Sequence, residues 1–128
     1  NIYTAYYLYK LGIKSLCLSV ELDEKECSQF VQEYAEKFGE VPFIVLSYGR
    51  VENMIIKGNI LHLNMNSYHY SLKDSRGRVF PVYYDGRVTH ILNWEKKNMN
   101  VSSAISRIDF YDETKEEVEM ILKRFLSK

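Results

Sequence analysis

Residues 15–46, SLCLSVELDEKECSQFVQEYAEKFGEVPFIVL, decide the fold class. Two short apolar runs in this stretch, SLCLSV and FIVL, have the length and composition of buried strands. Between them, DEKE at 23–26 is a capping-box start, and apolar residues then recur every three or four positions up to Gly39, as on one face of a helix. Strand, helix and strand in this order are typical of a parallel α/β sheet.

The same alternation is predicted at both ends of the chain. Residues 3–11 have the pattern of a helix that ends at Gly12. The run ISRIDF at 105–110 predicts a strand, and Thr114 with Glu117 predicts the capping box of a last helix.

The middle of the chain predicts an antiparallel meander. Its turn signals include Asp85-Gly86, the strongest two-residue hairpin signal. Pro81 favours an edge position or a bulge for its strand, and Lys96-Lys97-Asn98 is a polar stretch typical of a loop. The strand-like runs are 68–73, 78–84 and 87–92.

Length and composition indicate one ordinary globular domain. The 128 residues carry 17 Lys and Arg against 17 Asp and Glu, so the chain lacks the basic footprint of a nucleic-acid-binding domain. No apolar run approaches the roughly 20 residues of a membrane span. Two cysteines are too few for a disulfide framework, which favours a reducing, cytoplasmic location. The start at Asn1, without a signal-peptide pattern, is typical of a piece of a longer protein.

Candidate site residues follow three of the predicted strands. Glu21 follows SLCLSV, Arg50 follows FIVLSYG and Asp109 closes ISRID, and ligands of parallel sheets sit at the carboxyl ends of strands. A carboxylate pair with an arginine can bind a charged substrate or transfer protons, and Tyr48 is a further hydrogen-bond donor there. The alternative is an ion pair that merely closes the strand ends.

Metal and thiol chemistry have little support in the sequence. The three histidines show no local pairing of the kind that zinc ligands show, so no metal is predicted. Cys17, in the most apolar run, is expected to be packed and inert, and Cys27 lies early in a helix without a histidine near it in sequence.

Five segments of the chain, taken together, carry a resemblance to a known family. They are LGIKSLCLSVELDEKE at 11–26, YGRVENMIIKGN at 48–59, YSLKDSRGRVFPV at 70–82, ILN at 91–93 and RIDFYDETKEEVEMI at 107–121. In their order and approximate spacing, over nearly the whole chain, these segments resemble the collagenase-like peptidases of family U thirty-two. The resemblance implies a fragment of a TIM-like (β/α) barrel, with barrel units at 1–50 and 104–128 and an antiparallel β insert at about 51–93. Open strand edges in such a fragment make a homo-oligomer an expectation.

The resemblance also bears on cofactors. Many relatives carry cysteines, in some branches as ligands of an iron–sulfur cluster, where this chain has Lys57-Gly58-Asn59 and Asp85-Gly86-Arg87-Val88. Because a cluster needs about four thiolates and the chain holds two cysteines, we expect no cofactor.

Two functions are predicted. In the first, the chain is the C-terminal part of a peptidase acting on a peptide or protein: Glu21 is a general base or amine anchor, Arg50 holds a carboxylate or oxyanion, and Tyr48 and Asp109 bind substrate. In the second, it is a non-catalytic module that docks a substrate or partner. Its binding surface would consist of four tyrosines of the meander, Tyr68, Tyr70, Tyr83 and Tyr84. The alternative is that these rings only pack against side chains of neighbouring strands. A cluster-less relative of the RNA-modifying or quinone-pathway members, with neither role, is a third possibility.

Overall fold

The computed structural model describes residues 1–65, 67 and 69–127. It is a mixed α/β structure with one open six-stranded sheet in the order β1-β2-β5-β4-β3, and β6 also pairs with β2. The elements are α1 (Ile2–Lys10), β1 (Leu16–Cys17), α2 (Glu24–Phe38), β2 (Phe43–Lys57), β3 (Tyr70–Lys73), β4 (Val79–Tyr84), β5 (Val88–Asn98), β6 (Ile105–Ile108) and α3 (Lys115–Leu126).

The chain divides into two compact units. The first unit comprises Asn1–Tyr48 and Asn98–Asp109, and the second unit comprises Gly49–Lys97 and Phe110–Lys128. The prediction that 1–128 is one domain of a longer protein stays a prediction.

The first unit contains the parallel strands that the sequence predicts. Leu16 of β1 pairs with Phe43, and Ile44 pairs with Ile105 of β6, both in parallel. Helix α2 connects β1 to β2. The rings of Tyr34 and Phe43, both almost fully buried, meet edge to face with centroids 5.0 Å apart. Burial of one such ring contributes about 1.5–3 kcal/mol, so this contact between α2 and β2 fixes the helix on the sheet.

The two cysteines lie in different environments. Cys17 is exposed and Cys27 is fully buried, and neither forms a disulfide within the part of the chain that the structure describes. The prediction of a packed Cys17 is wrong because β1 is a two-residue strand whose side chains alternate, and Cys17 points away from the core.

The second unit contains the antiparallel meander. Ser71 of β3 pairs with Pro81, and Val82 of β4 pairs with Ile91, both antiparallel. The edge position predicted for Pro81 is wrong, because β4 lies between β3 and β5. The ladder from β4 to β5 covers Val82 to Tyr84 and begins just after the proline, so the missing N–H falls where that ladder has not yet started.

Two strands are longer than the sequence predicts, and both corrections matter for the site. Strand β2 continues from Phe43 through Arg50 to Lys57, and β5 continues through the polar stretch at 96–98 that resembles a loop. Gly49 has φ of 131°, a conformation that side-chain-bearing residues rarely adopt. It follows a register shift between Leu46 and Tyr48, so the pairing of β2 with β6 is irregular just before this glycine.

The predicted helix starts are confirmed. Asp23 and Glu26 form a reciprocal capping box at α2, and Thr114 and Glu117 form another at α3. Among the described residues, no helix combines the length and the apolar character that crossing a bilayer requires.

Candidate functional site

Arg50 is held in place by two backbone carbonyl groups of the second unit. Its Nη1 donates to the carbonyl oxygens of Asn93 at 3.1 Å and Trp94 at 2.6 Å, both on β5. Its side chain is 14% exposed. Two backbone acceptors therefore hold one edge of the guanidinium, and the Nη2 and Nε edge is left for other partners.

An acidic pair beside α3 connects Arg50 to Lys96. Asp112 Oδ2 lies 3.5 Å from Arg50 Nη2, and Asp112 Oδ1 lies 2.9 Å from Lys96 Nζ. Lys96 also contacts Glu113 at 2.6 Å, and the Glu113 side chain is 1% exposed. Burial disfavours the charged form of Lys96, but the hydrogen bonds to Glu113 and Asp112 outweigh it and raise the pKa of that ammonium. The Lys96 ammonium and the buried Glu113 carboxylate therefore each have a partner of opposite charge.

A cavity of about 520 Å³ opens at this network, a volume within the range of small-ligand sites. Three arginines and one aspartate line it, so its lining carries an excess of positive charge. Aromatic walls supply apolar surface. The lining includes Arg50, Arg76, Arg78, Asp112, Tyr70, Trp94 and Tyr111. Such a cavity suits a ligand with an anionic group and an apolar body.

The other predicted site residues lie in the first unit. The Asp109 N–H donates to the carbonyl oxygen of Tyr48 at 2.9 Å, which joins these two residues through the backbone. The Asp109 carboxylate binds Arg107, with Nε at 2.9 Å from Oδ1. Glu21 is exposed in the turn after β1, and its N–H donates to Ser19 Oγ.

The prediction that Arg50 stands at a strand end is wrong. Arg50 lies inside β2, because residues 49–57 continue the strand in the second unit. Its ion-pair partner is Asp112, whereas Asp109 pairs with Arg107.

The predicted tyrosine surface is divided among different roles. Tyr70 lines the cavity, Tyr83 stacks on His90 with ring centroids 4.4 Å apart, and Tyr84 donates its hydroxyl to Gly86 O. Tyr68 lies outside the described residues.

His90 on β5 is held between two carboxylates. Its Nδ1 contacts Glu52 of β2 and its Nε2 lies 3.1 Å from Asp85 Oδ2. Burial lowers the pKa of His90, but the hydrogen bonds to Glu52 and Asp85 outweigh it, so the pKa is raised. Hydrogen bonds from the Val88 and Arg87 N–H groups, with His90, lower the pKa of Asp85 to about 2. The Glu52 and Asp85 carboxylates contact opposite nitrogens of the His90 ring. The described residues contain no group of three His, Cys, Asp or Glu placed to hold a metal ion.

Sequence reasoning selected Arg50 but missed its partners. Trp94 and Lys96 are two residues apart on one strand, so they share a face. Asp112 and Glu113 immediately precede the capping Thr114 of α3. The acidic pair before a helix cap was a usable signal, but nothing local connects it to Arg50.

In comparisons with known proteins, no family model, no curated protein and no solved structure matches the chain.

Proposed function

We propose that this chain is the substrate-binding part of a collagenase-like peptidase, and that its cavity binds a carboxylate of a peptide at Arg50. In this proposal the parallel strands β1, β2 and β6 belong to a TIM-like barrel of a longer protein. The meander is an insert of that barrel, and the protein acts in the cytoplasm on peptides or proteins.

The observation that carries the proposal is the anchoring of Arg50. Because two backbone carbonyls hold Nη1, the guanidinium is oriented before any ligand arrives. A preoriented cation loses little side-chain entropy on binding, and a planar guanidinium edge matches a carboxylate in two parallel hydrogen bonds. The guanidinium of Arg50 is therefore a matching donor for the carboxylate or oxyanion that the motif resemblance implies.

The walls of the cavity favour a peptide over a bare anion. Tyr70, Trp94 and Tyr111 line the same space as Arg50. Aromatic rings offer large apolar area next to a polar group, which suits the side chain next to a peptide carboxylate.

Trp94 reports on binding because the chain has one tryptophan and that residue lines the cavity. The experiment titrates the 128-residue chain with N-acetyl-Ala-Leu-Ala and with its C-terminal amide, and follows Trp94 fluorescence. We expect a saturable change with the acid and a much weaker one with the amide. Arg50→Gln should abolish the difference, whereas Arg107→Gln, an arginine of the first unit, should retain it. Equal responses to acid and amide would overturn the proposal.

A catalytic role for Glu21 is the second candidate. Its support is the Leu18-to-Leu22 segment that resembles the peptidase family, together with the exposure of Glu21 after β1. Gelatin and casein cleavage by the protein, beside a Glu21→Ala variant of equal thermal stability, tests this role. Cleavage lost only in the variant supports a general base or an amine anchor, and equal cleavage removes Glu21 from the chemistry.

A further inference from the structure

We infer that Asp112 is a built-in competitor for the substrate carboxylate: its side chain occupies the place at Arg50 that a ligand carboxylate takes, so binding proceeds by exchange. This inference rests on the proposed function and deepens it, because it assigns the residue that sets the affinity of the site.

The ion pair between Arg50 and Asp112 is loose. Nη2 and Oδ2 are 3.5 Å apart, whereas charge-assisted bonds between such groups are normally about 2.7–2.9 Å. The Asp112 side chain is 37% exposed and lines the cavity. A weak, accessible pair of this kind is the contact that an incoming anion displaces most readily.

Neither partner is left without hydrogen bonds when the pair opens. Asp112 keeps Lys96 at 2.9 Å, and Arg50 keeps the two carbonyls of β5. The usual penalty for separating a partly buried ion pair comes from the charge that is left alone. Here the structure supplies a second partner on each side, so exchange costs little.

Arg50 gains more from a ligand than from Asp112. Its Nε is buried and has no hydrogen-bond acceptor among the described residues, and Asp112 contacts Nη2. A carboxylate that takes the place of Asp112 side-on would give both Nη2 and Nε an acceptor, the two-bond geometry that guanidinium groups favour. An unsatisfied buried donor therefore favours the exchange.

Asp112→Asn tests the inference, because it removes the competing charge at nearly constant size. We expect the affinity for N-acetyl-Ala-Leu-Ala, measured by Trp94 fluorescence, to rise about three- to tenfold, with no gain for the C-terminal amide. Glu33→Gln, which removes the charge of an exposed carboxylate on α2 in the first unit, is the matched control and should change nothing. Asp112→Ser is the second variant, and circular dichroism checks that each variant is folded.

The possible results separate this inference from the proposed function. If the wild-type chain prefers the acid and Asp112→Asn weakens binding, Asp112 positions Arg50 and the inference is overturned while the proposed function stands. An unchanged affinity in both variants also overturns it. If neither the wild type nor either variant prefers the acid, both proposals fail.

Discussion

Arg50 on β2 donates from Nη1 to the carbonyl oxygen of Trp94 on β5, at 2.6 Å. The bond is made to the backbone of a residue that itself lines the cavity, so Arg50 and Trp94 are positioned together. Asn93 O accepts from the same nitrogen. One arginine therefore joins two neighbouring strands and presents its remaining edge to Asp112.

Arg50→Lys should impair binding although it keeps the charge. An ammonium is a point donor and lacks the fork that holds two carbonyls and a carboxylate together. We expect the affinity for N-acetyl-Ala-Leu-Ala to fall at least about tenfold, or about 1.4 kcal/mol, and the free energy of unfolding in urea to fall by about 1 kcal/mol. Arg107→Lys is the control. An affinity equal to that of the wild type would contradict the role given to the guanidinium.

Lys96→Met should destabilise the second unit strongly. The substitution removes the cation that pairs with the Glu113 carboxylate, which is almost fully buried. The carboxylate keeps the hydrogen bonds from the backbone N–H groups of Tyr111 and Asp112. Removal of one partner of a buried pair costs about 3–5 kcal/mol, and we expect the lower end because the N–H donors remain. Urea unfolding measures this loss, and adding Glu113→Gln should recover part of it. A loss below about 0.5 kcal/mol would place Lys96 among ordinary surface residues.

His90 should make stability depend on pH. Burial lowers its pKa, but the carboxylates of Glu52 and Asp85 raise it above the ordinary value of 6.5. The folded state then binds the proton more tightly than the unfolded state. This contribution is fully present below about pH 6.5 and is lost as the pH rises through the folded pKa.

Urea unfolding across the neutral range measures the effect. His90→Gln should remove the decline in stability with rising pH, whereas His62→Gln, at an exposed position, should retain it. A wild-type stability that increases over this range would show that the charged ring is not favoured by folding.

Thr114→Ala should loosen the start of α3. The Thr114 hydroxyl accepts from Glu117 N–H at 3.3 Å, and Thr114 N–H donates to the Glu117 carboxylate at 2.7 Å. Loss of such a cap costs about 1 kcal/mol of unfolding free energy. Ser127→Ala, at the other end of the helix, is the control and should have a smaller effect. Equal losses in the two variants would mean that the capping box contributes nothing specific.

Local signals in the sequence are sufficient for the helices and for the presence of the parallel strands, but not for the length of β2. The capping boxes at Asp23 and Thr114 and the apolar spacing after them are encoded within one or two turns of chain, so they were predicted correctly. Strand β2 was cut short because SYGRVEN at 47–53 is polar and contains a glycine. Its continuation depends on pairing with β5, whose contacting residues are far away in the sequence, 44 positions from Arg50 to Trp94 and 38 from Glu52 to His90.

The candidate site also depends on contacts between residues that are far apart in the sequence. The strand-end position that the sequence predicts for Arg50 is wrong. Its backbone acceptors on β5 lie 43 and 44 residues further along the chain, so no local pattern indicates them. Lys96 looked like part of a loop, because charged residues on a partly exposed strand have no apolar alternation. Only the sheet order brings Arg50, Trp94 and Lys96 together.

The most direct test of the carboxylate site is a heteronuclear NMR titration of the chain with N-acetyl-Ala-Leu-Ala, followed at the side-chain Nε–H of Arg50 and the indole N–H of Trp94. We predict that both signals shift saturably with one common affinity, that the Arg50 signal moves to the position of a hydrogen-bonded N–H, and that the C-terminal amide leaves both in place. Shifts confined to the first unit, or equal shifts with acid and amide, would contradict the account.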